Sequence, residues 1–407
     1  MITSDIDGSF DYKLLIVFCF LIITIPILGL LLAILFYKKT TSQAFFVVYA
    51  FYFGYMVDAY ADLGVHYNNF LQFVNNPIEK AWSLPFTDYL GEDPYHKIVK
   101  IVISQFSSSS RFFAGVCCSI YAFIVICFIK QYDFIFQRKM EKLHFLVFLL
   151  LLCVVEYYWY LGLRYWTGVF FFMTFYSKYI LTNKKNFLLI SCLAVLFHKM
   201  HFIIIMMLLL DIILTNRDKL RYVLVFLSFG LRQMSSFFVQ KTYEIGFIQD
   251  IMGSKFNSYT NAVENIEDSK TEMLRNEGNI VYQTRSDLLF GFFLFIMFLL
   301  WRKNKQLTTS YHRFYTFILS SFIVVNLGYV NIVLYERIYK FFILCCFSYL
   351  FLLLNEKKNK WINKNMYVLT ITSVITLYMF IIPIVQMRKY LFDISIWFSS
   401  FIIISPL

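Results

Sequence analysis

The chain has 407 residues, of which 59% are apolar and 15% charged, with a formal net charge of +12 and a mean hydropathy of +0.64. A soluble domain averages about 45–50% apolar and about 25% charged residues, so a water-soluble globular enzyme is excluded. At about 20 residues per crossing the apolar content sets a ceiling of about 12 membrane helices, which also absorb the 49 Phe and 30 Tyr that no single soluble core needs.

The first apolar run, residues 14–37, follows Asp5, Asp7 and Asp11 and ends on Lys38 and Lys39. A cleaved signal peptide carries the reverse charge and a shorter apolar stretch, so one uncleaved membrane helix is expected, with the N-terminus outside. Further apolar runs cover residues 42–57, 112–129, 143–161, 165–181, 187–197, 202–214, 222–239, 288–301, 314–328, 338–354, 367–383 and 391–404. Several are too short to cross alone, so the stretches 162–167 and 198–201 are either tight outer turns or interruptions of a helix inside the protein. The expected fold is all-α: one polytopic bundle of about 11–13 helices over residues 1–407.

Charge alternates along this frame. Alternate connections carry Lys38/Lys39, Lys130/Arg138/Lys139/Lys142, Lys184/Lys185, Arg217/Lys219/Arg221, Arg302/Lys303/Lys305/Arg313 and Lys357/Lys358/Lys360/Lys364, about half of the 37 basic residues. Short basic loops are cytoplasmic, so the positive charge is a topology signal with attraction for anionic lipid, and nucleic-acid binding is not expected. Two long connections, 58–111 and 240–287, fall on the outer side, where long loops carry function. Within the first, Ile98, Val99, Ile101, Val102 and Phe106 recur at helical spacing, as in a helix lying on the membrane surface. Only 14 Gly and 6 Pro occur, against about 28 Gly at average usage, which disfavours a transporter built on broken helices. The eight cysteines lie in apolar runs and show neither a disulfide framework nor metal-type spacing.

An ionisable side chain at the centre of a span costs at least about 2.5–3.5 kcal/mol, so each one requires a reason. Arg164, in the aromatic stretch 157–168, is either an anion clamp for phosphate oxygens or a cation snorkelling to headgroups. His198 is a candidate general base or hydrogen-bond donor, or an interfacial histidine capping a turn. His201, three residues on, has no third ligand nearby, so no metal is expected. Arg337 is either a second anion contact at the depth of Arg164 or the partner of Glu336. Arg232 carries the same ambiguity, while Glu156 and Asp211 fit helix pairing as well as chemistry. Asp58, Asp62, His66 and Tyr67 open the first outer loop, as activators of a sugar hydroxyl or as solvated loop residues.

The order of these features resembles the Wzy-type polysaccharide polymerases, in particular the EpsG-like branch. The residues that carry the resemblance are Asp58-Ala59-Tyr60-Ala61-Asp62 through His66-Tyr67, then Asp93-Pro94-Tyr95-His96-Lys97, Arg164 with Gly168, the basic turn Asn183-Lys184-Lys185-Asn186, Phe197-His198-Lys199, and Arg337 with Tyr339. The chain departs from the family pattern at Tyr165, where Gln is common, at Met200, where Ser or Thr is usual, and near His201, where Ala is found. The resemblance implies a GT-C-like bundle in the bacterial cytoplasmic membrane, acting without a cofactor at the outer face. It implies polymerisation of oligosaccharide repeat units of O-antigen, capsule or exopolysaccharide, with donor and acceptor both carried on undecaprenyl pyrophosphate, beside a flippase and a chain-length regulator. His198, Asp62 and Arg164 are the expected catalytic residues. Arg164, Arg337, Arg232, Tyr339, Tyr67, Asp58 and His201 are the expected substrate contacts. The rival expectations are a lipid-linked oligosaccharide flippase or transporter, and a membrane O-antigen ligase or acyltransferase.

Overall fold

Pro26 decides how the chain begins. The computed structural model describes residues 11–36, 39–56, 61–75, 93–131, 164–233, 309–327 and 332–354. Helix α1 (Tyr12–Thr24) starts at Asp11, whose carboxylate accepts from the N–H groups of Lys13 and Leu14 at 3.1 Å each. It stops at Ile25, because a proline cannot continue the ladder of backbone bonds, and α2 (Pro26–Leu35) turns back along it. Asp11 then pairs with Lys39, and its N–H donates to Thr41 Oγ1 at 2.9 Å. One straight helix would hold residues 11 and 39 about 40 Å apart at 1.5 Å per residue. The expectation of a single crossing over residues 14–37 is therefore corrected to a helical hairpin whose two ends lie at one level.

Helix α3 (Thr40–Met56) packs antiparallel on α6 (Ser110–Lys130). Small residues let the two backbones approach closely: a Cβ on Gly54 would stand 2.8 Å from the Ala114 carbonyl, and one on Gly115 would stand 3.0 Å from Phe51. Ser109 opens α6 by accepting from Phe112 N–H at 3.2 Å. Between them lie α4 (Ala61–Asn75) and α5 (Pro94–Ser104), both inside the first predicted loop. Phe70 stacks on Phe113 with centroids 5.0 Å apart, and His66 meets the His96 ring edge-on at 4.6 Å, so α4, α5 and the start of α6 form one corner.

The centre is α7 (Tyr165–Thr182). Asn183 ends it in the left-handed conformation (φ 57°), which Asn tolerates, and α8 (Lys185–Cys192) returns along it before tightening into a 3-10 turn, Leu193–Leu196. Helix α9 (His201–Ile213) follows after four residues, then α10 (Asp218–Gln233). Helix α11 (Thr309–Leu327) runs antiparallel to α7, with Phe172 and Tyr176 against Phe317 and Tyr176 also against Phe314, and α12 (Ile332–Leu354) runs parallel to α7, with Phe172 against Phe341 and Met173 against Cys345.

These directions give the described bundle two unlike ends. One gathers the starts of α5, α6, α7, α9 and α12. The other gathers Asn183, Arg313, Asp218 and Arg221: Arg313 donates to Asn183 Oδ1, and His312 lies 3.4 Å from Asp218. Asp211 belongs to this second end as a structural partner, 3.0 Å from Arg221, which also pairs with Asp218 at 2.7 Å.

The described residues are helical, with no strand among them, and one helix among them, Ser110–Lys130, is long and apolar enough to cross a membrane. Apolar side chains nevertheless face outward along α1, α5, α6, α8, α9 and α10, with Phe20, Phe123, Leu189, Ile213 and Phe226 all exposed. Helix α5 exposes apolar residues while burying polar ones: Ile98 is 60% exposed, whereas His96, Lys97 and Lys100 are buried beside Val99 and Ile103. The predicted runs 143–161, 288–301, 367–383 and 391–404, Glu156 and the second loop 240–287 lie outside the described residues.

Candidate functional site

The first end collects most of the residues singled out in the sequence. Arg164 stands immediately before α7, and its Nη1 donates to Asp93 Oδ2 at 2.6 Å. The other carboxylate oxygen of Asp93 accepts from the Lys199 N–H at 3.0 Å. Asp93 sits at the N-cap of α5 with Pro94 at the first helical position, a common start signal, yet its carboxylate makes no bond to its own helix. It ties the start of α7 to the turn that carries His198. Both members of the pair are largely buried, Arg164 at 13% and Asp93 at 4% side-chain exposure.

Tyr165 joins this group to α12. Its hydroxyl donates to the Arg337 carbonyl at 3.0 Å, and the Arg337 guanidinium lies 5.5 Å from the Tyr165 ring centroid. Arg337 Nη1 points to Met200 Sδ at 3.1 Å. Among the described side chains Arg337 has no carboxylate within ion-pair distance, and a thioether is a weak acceptor. Arg164 and Arg337 thus reach the same end from different helices, one held by a carboxylate and one by an aromatic face and a sulfur.

The two histidines divide their roles by tautomer. His198 Nδ1 accepts from Met200 N–H at 3.1 Å, which puts the proton of the neutral ring on Nε2 and makes that atom a donor. His201 Nδ1 lies 2.8 Å from the His198 carbonyl, which only accepts, so Nδ1 carries the proton there. The His201 ring is fully buried and stacks on Tyr165 with centroids 5.1 Å apart. Gly168 makes room for it: a Cβ there would stand 2.5 Å from His201 Cε1, 2.7 Å from Nε2 and 2.9 Å from Phe197 Cβ. The small residue four positions after Arg164 is thereby explained by a ring on the following turn. Tyr165 thus stands between His201 and Arg337, and Met200 also meets Arg337.

A second cluster of histidine and lysine side chains flanks the site from α4 and α5. His96 is buried between His66 and Phe113. Burial first, and then the electrostatic influence of the neighbouring His66, Lys100, Arg164 and His198, holds its pKa well below the ordinary histidine range. Lys100 Nζ lies 5.4 Å from the Phe73 ring centroid. Tyr67 and Tyr339 are both buried, on α4 and α12. Asp62 lies in the first turn of α4 and Arg232 in the last turn of α10, which runs parallel to α11 and so ends on the same side as the start of α12; their side chains, and all of Asp58, lie outside the described residues. Among the described residues no three His, Cys, Asp or Glu side chains converge as a metal site.

Asp93 stood out in the sequence only within the stretch Asp93–Lys97, without a role, and the structure places it against Arg164 and the Lys199 N–H. Its signal was an Asp-Pro pair opening a helix, which reads as a local cap; nothing local reveals a partner 71 positions away. No family model matches the chain, and no curated protein or solved structure matches it either.

Proposed function

We propose that the chain polymerises oligosaccharide repeat units carried on polyprenyl pyrophosphate, as a polytopic GT-C-like bundle of the bacterial cytoplasmic membrane with its site at the outer face. The observation that carries this reading is the convergence of Arg164 and Arg337, from separate helices, on one end of the bundle, with Tyr165 between them. The outward apolar side chains of six helices suit hydrocarbon, because soluble monomers rarely expose large contiguous apolar patches. Helix α5, with Ile98 and Val102 exposed and Lys97 and Lys100 buried, suits a lipid-facing surface with its cations turned to the protein. The opposite end carries Lys184, Lys185, Arg217, Lys219 and Arg313, as a cytoplasmic side does. Because the α1–α2 hairpin brings Asp11 to Lys39, the N-terminus joins Lys39 on the cytoplasmic side in this reading, and the orientation from α3 onward keeps its expected sense.

The chemistry follows from the side chains. A hydroxyl oxygen of the acceptor sugar attacks the anomeric carbon of the donor, the bond from that carbon to the pyrophosphate oxygen breaks, and the hydroxyl proton passes to a base. The leaving pyrophosphate gains negative charge, which fixed guanidinium groups stabilise. His198, with its proton on Nε2, donates to a phosphate or sugar oxygen rather than taking the hydroxyl proton. Asp62 is the carboxylate we assign to that task. Tyr67, Tyr339 and Arg232 are the further substrate contacts we propose.

Deletion of the gene in its host tests this reading. Accumulation of single lipid-linked repeats at the outer face, relieved by the intact gene, is the expected result. Accumulation at the inner face indicates a flippase, and full-length polymer left unattached to its final acceptor indicates a ligase.

A further inference from the structure

The Arg164 end already contains an anion. Asp93 occupies Arg164 Nη1 at 2.6 Å and the Lys199 N–H at 3.0 Å, while the remaining Arg164 donors make no hydrogen bond among the described residues. An N-cap aspartate ordinarily accepts from the second or third N–H of its own helix. Here those are the N–H groups of Tyr95 and His96, to which Asp93 does not bond. The carboxylate therefore has two sets of partners within reach of a side-chain rotation: Arg164 with Lys199, or the first turn of α5.

We propose that Asp93 is an internal placeholder for the ligand's phosphate, released from Arg164 to cap α5 when a diphosphate ester binds, and that this exchange sets the specificity of the site. This rests on the reading of the Arg164–Arg337 end as a pyrophosphate site. A diphosphate brings more charge and more acceptor oxygens to the guanidinium fork than a carboxylate does. It also repels Asp93 across a largely buried contact. Arg337, already without a carboxylate partner among the described side chains, holds the other phosphate. A neutral sugar has no charge with which to displace Asp93, and a phosphodiester headgroup, with one negative charge, only matches it. Because the Lys199 N–H loses its acceptor in the same step, the His198–Lys199 turn is freed when the ligand arrives.

The test uses the full-length protein in phosphatidylcholine nanodiscs, with farnesyl diphosphate as the probe and farnesyl monophosphate and added phosphatidylglycerol as comparisons. Hydrogen exchange of the wild-type protein is expected to slow at the Tyr95 and His96 amides and to quicken at Lys199 on saturation with farnesyl diphosphate, and to stay unchanged with phosphatidylglycerol. The Asp93→Asn variant keeps an oxygen for Lys199 but loses the charge on Arg164. It is expected to bind farnesyl diphosphate about tenfold more tightly, the scale of one charge-assisted hydrogen bond, and to gain affinity for the monophosphate. A merely structural Asp93 gives weaker binding of every probe. Binding by the wild type with unchanged exchange at Lys199, Tyr95 and His96 overturns the placeholder alone, and so does unaltered affinity in a well-folded Asp93→Asn variant. A folded wild type that binds no farnesyl diphosphate overturns the pyrophosphate reading itself.

Discussion

Gly168→Ala probes the packing on which the site rests. The added methyl would stand 2.5–2.7 Å from the His201 ring and 2.9 Å from Phe197 Cβ, distances that side-chain carbons do not adopt. The ring has little freedom to recede: it is fully buried, bonded through Nδ1 to the His198 carbonyl, and stacked on Tyr165. Overpacking of this kind costs about 1–3 kcal/mol, while replacing a helical glycine by alanine returns about 1 kcal/mol. The rigid surroundings put the net effect at a loss of about 1–2 kcal/mol, from the same two terms. In a His201→Ala background the principal clash is gone, so Gly168→Ala becomes neutral or stabilising, with a coupling of about 1–3 kcal/mol between the two positions. Thermal unfolding of the four proteins in detergent reads the cycle, and polymer length in cells reports whether the His198 turn has moved. Equal unfolding temperatures for wild type and Gly168→Ala, or the same loss in both backgrounds, would refute the placement of His201 against α7.

Other perturbations act on separate features. Cysteines placed at Asp11 and Lys39 are expected to be joined by a short bismaleimide in native membranes, since the two residues pair; absence of cross-linking with both sites labelled restores a single crossing. Arg221→Ala strips a buried guanidinium from Asp211 and is expected to destabilise by about 3–5 kcal/mol, with Arg221→Ala/Asp211→Asn recovering part of it; equal melting of single variant and wild type contradicts the pairing. Burial and neighbouring cations depress the His96 pKa in the folded protein, so below about pH 6.5 the unfolded chain takes up a proton that the folded one refuses. Stability at that residue is therefore intact above that pH and falls as the pH drops, and His96→Leu should lose less melting temperature than wild type between about pH 7 and pH 5. Equal losses in the two proteins argue against a neutral buried His96.

The helical class and the position of two central helices were legible because long apolar runs in such a chain predict helices. The run at residues 165–181 matches α7, and 112–129 matches α6. Arg164, His198 and Arg337 stood out because a charged or titratable group in apolar surroundings requires a reason, and the structure brings all three to one end. The hairpin was hidden by near-uniform apolarity: residues 14–37 carry no charged side chain, and Thr24 and Pro26 are the short interruption at which the chain turns. The face of α5 was readable from its period, but periodicity does not say whether an apolar face meets a core or the exterior. Asp93 and the pairing of Gly168 with His201 were not readable, because both depend on contacts between separate elements.

The most direct measurement is reconstitution of the purified chain in liposomes with lipid-linked repeat units extracted from the deletion strain. A ladder of lengthening glycan with wild type, reduced to single units by Arg337→Ala at equal folded protein, is the predicted result. Wild-type protein that moves the lipid across the bilayer without lengthening the glycan, or an Arg337→Ala variant that polymerises normally, would contradict it.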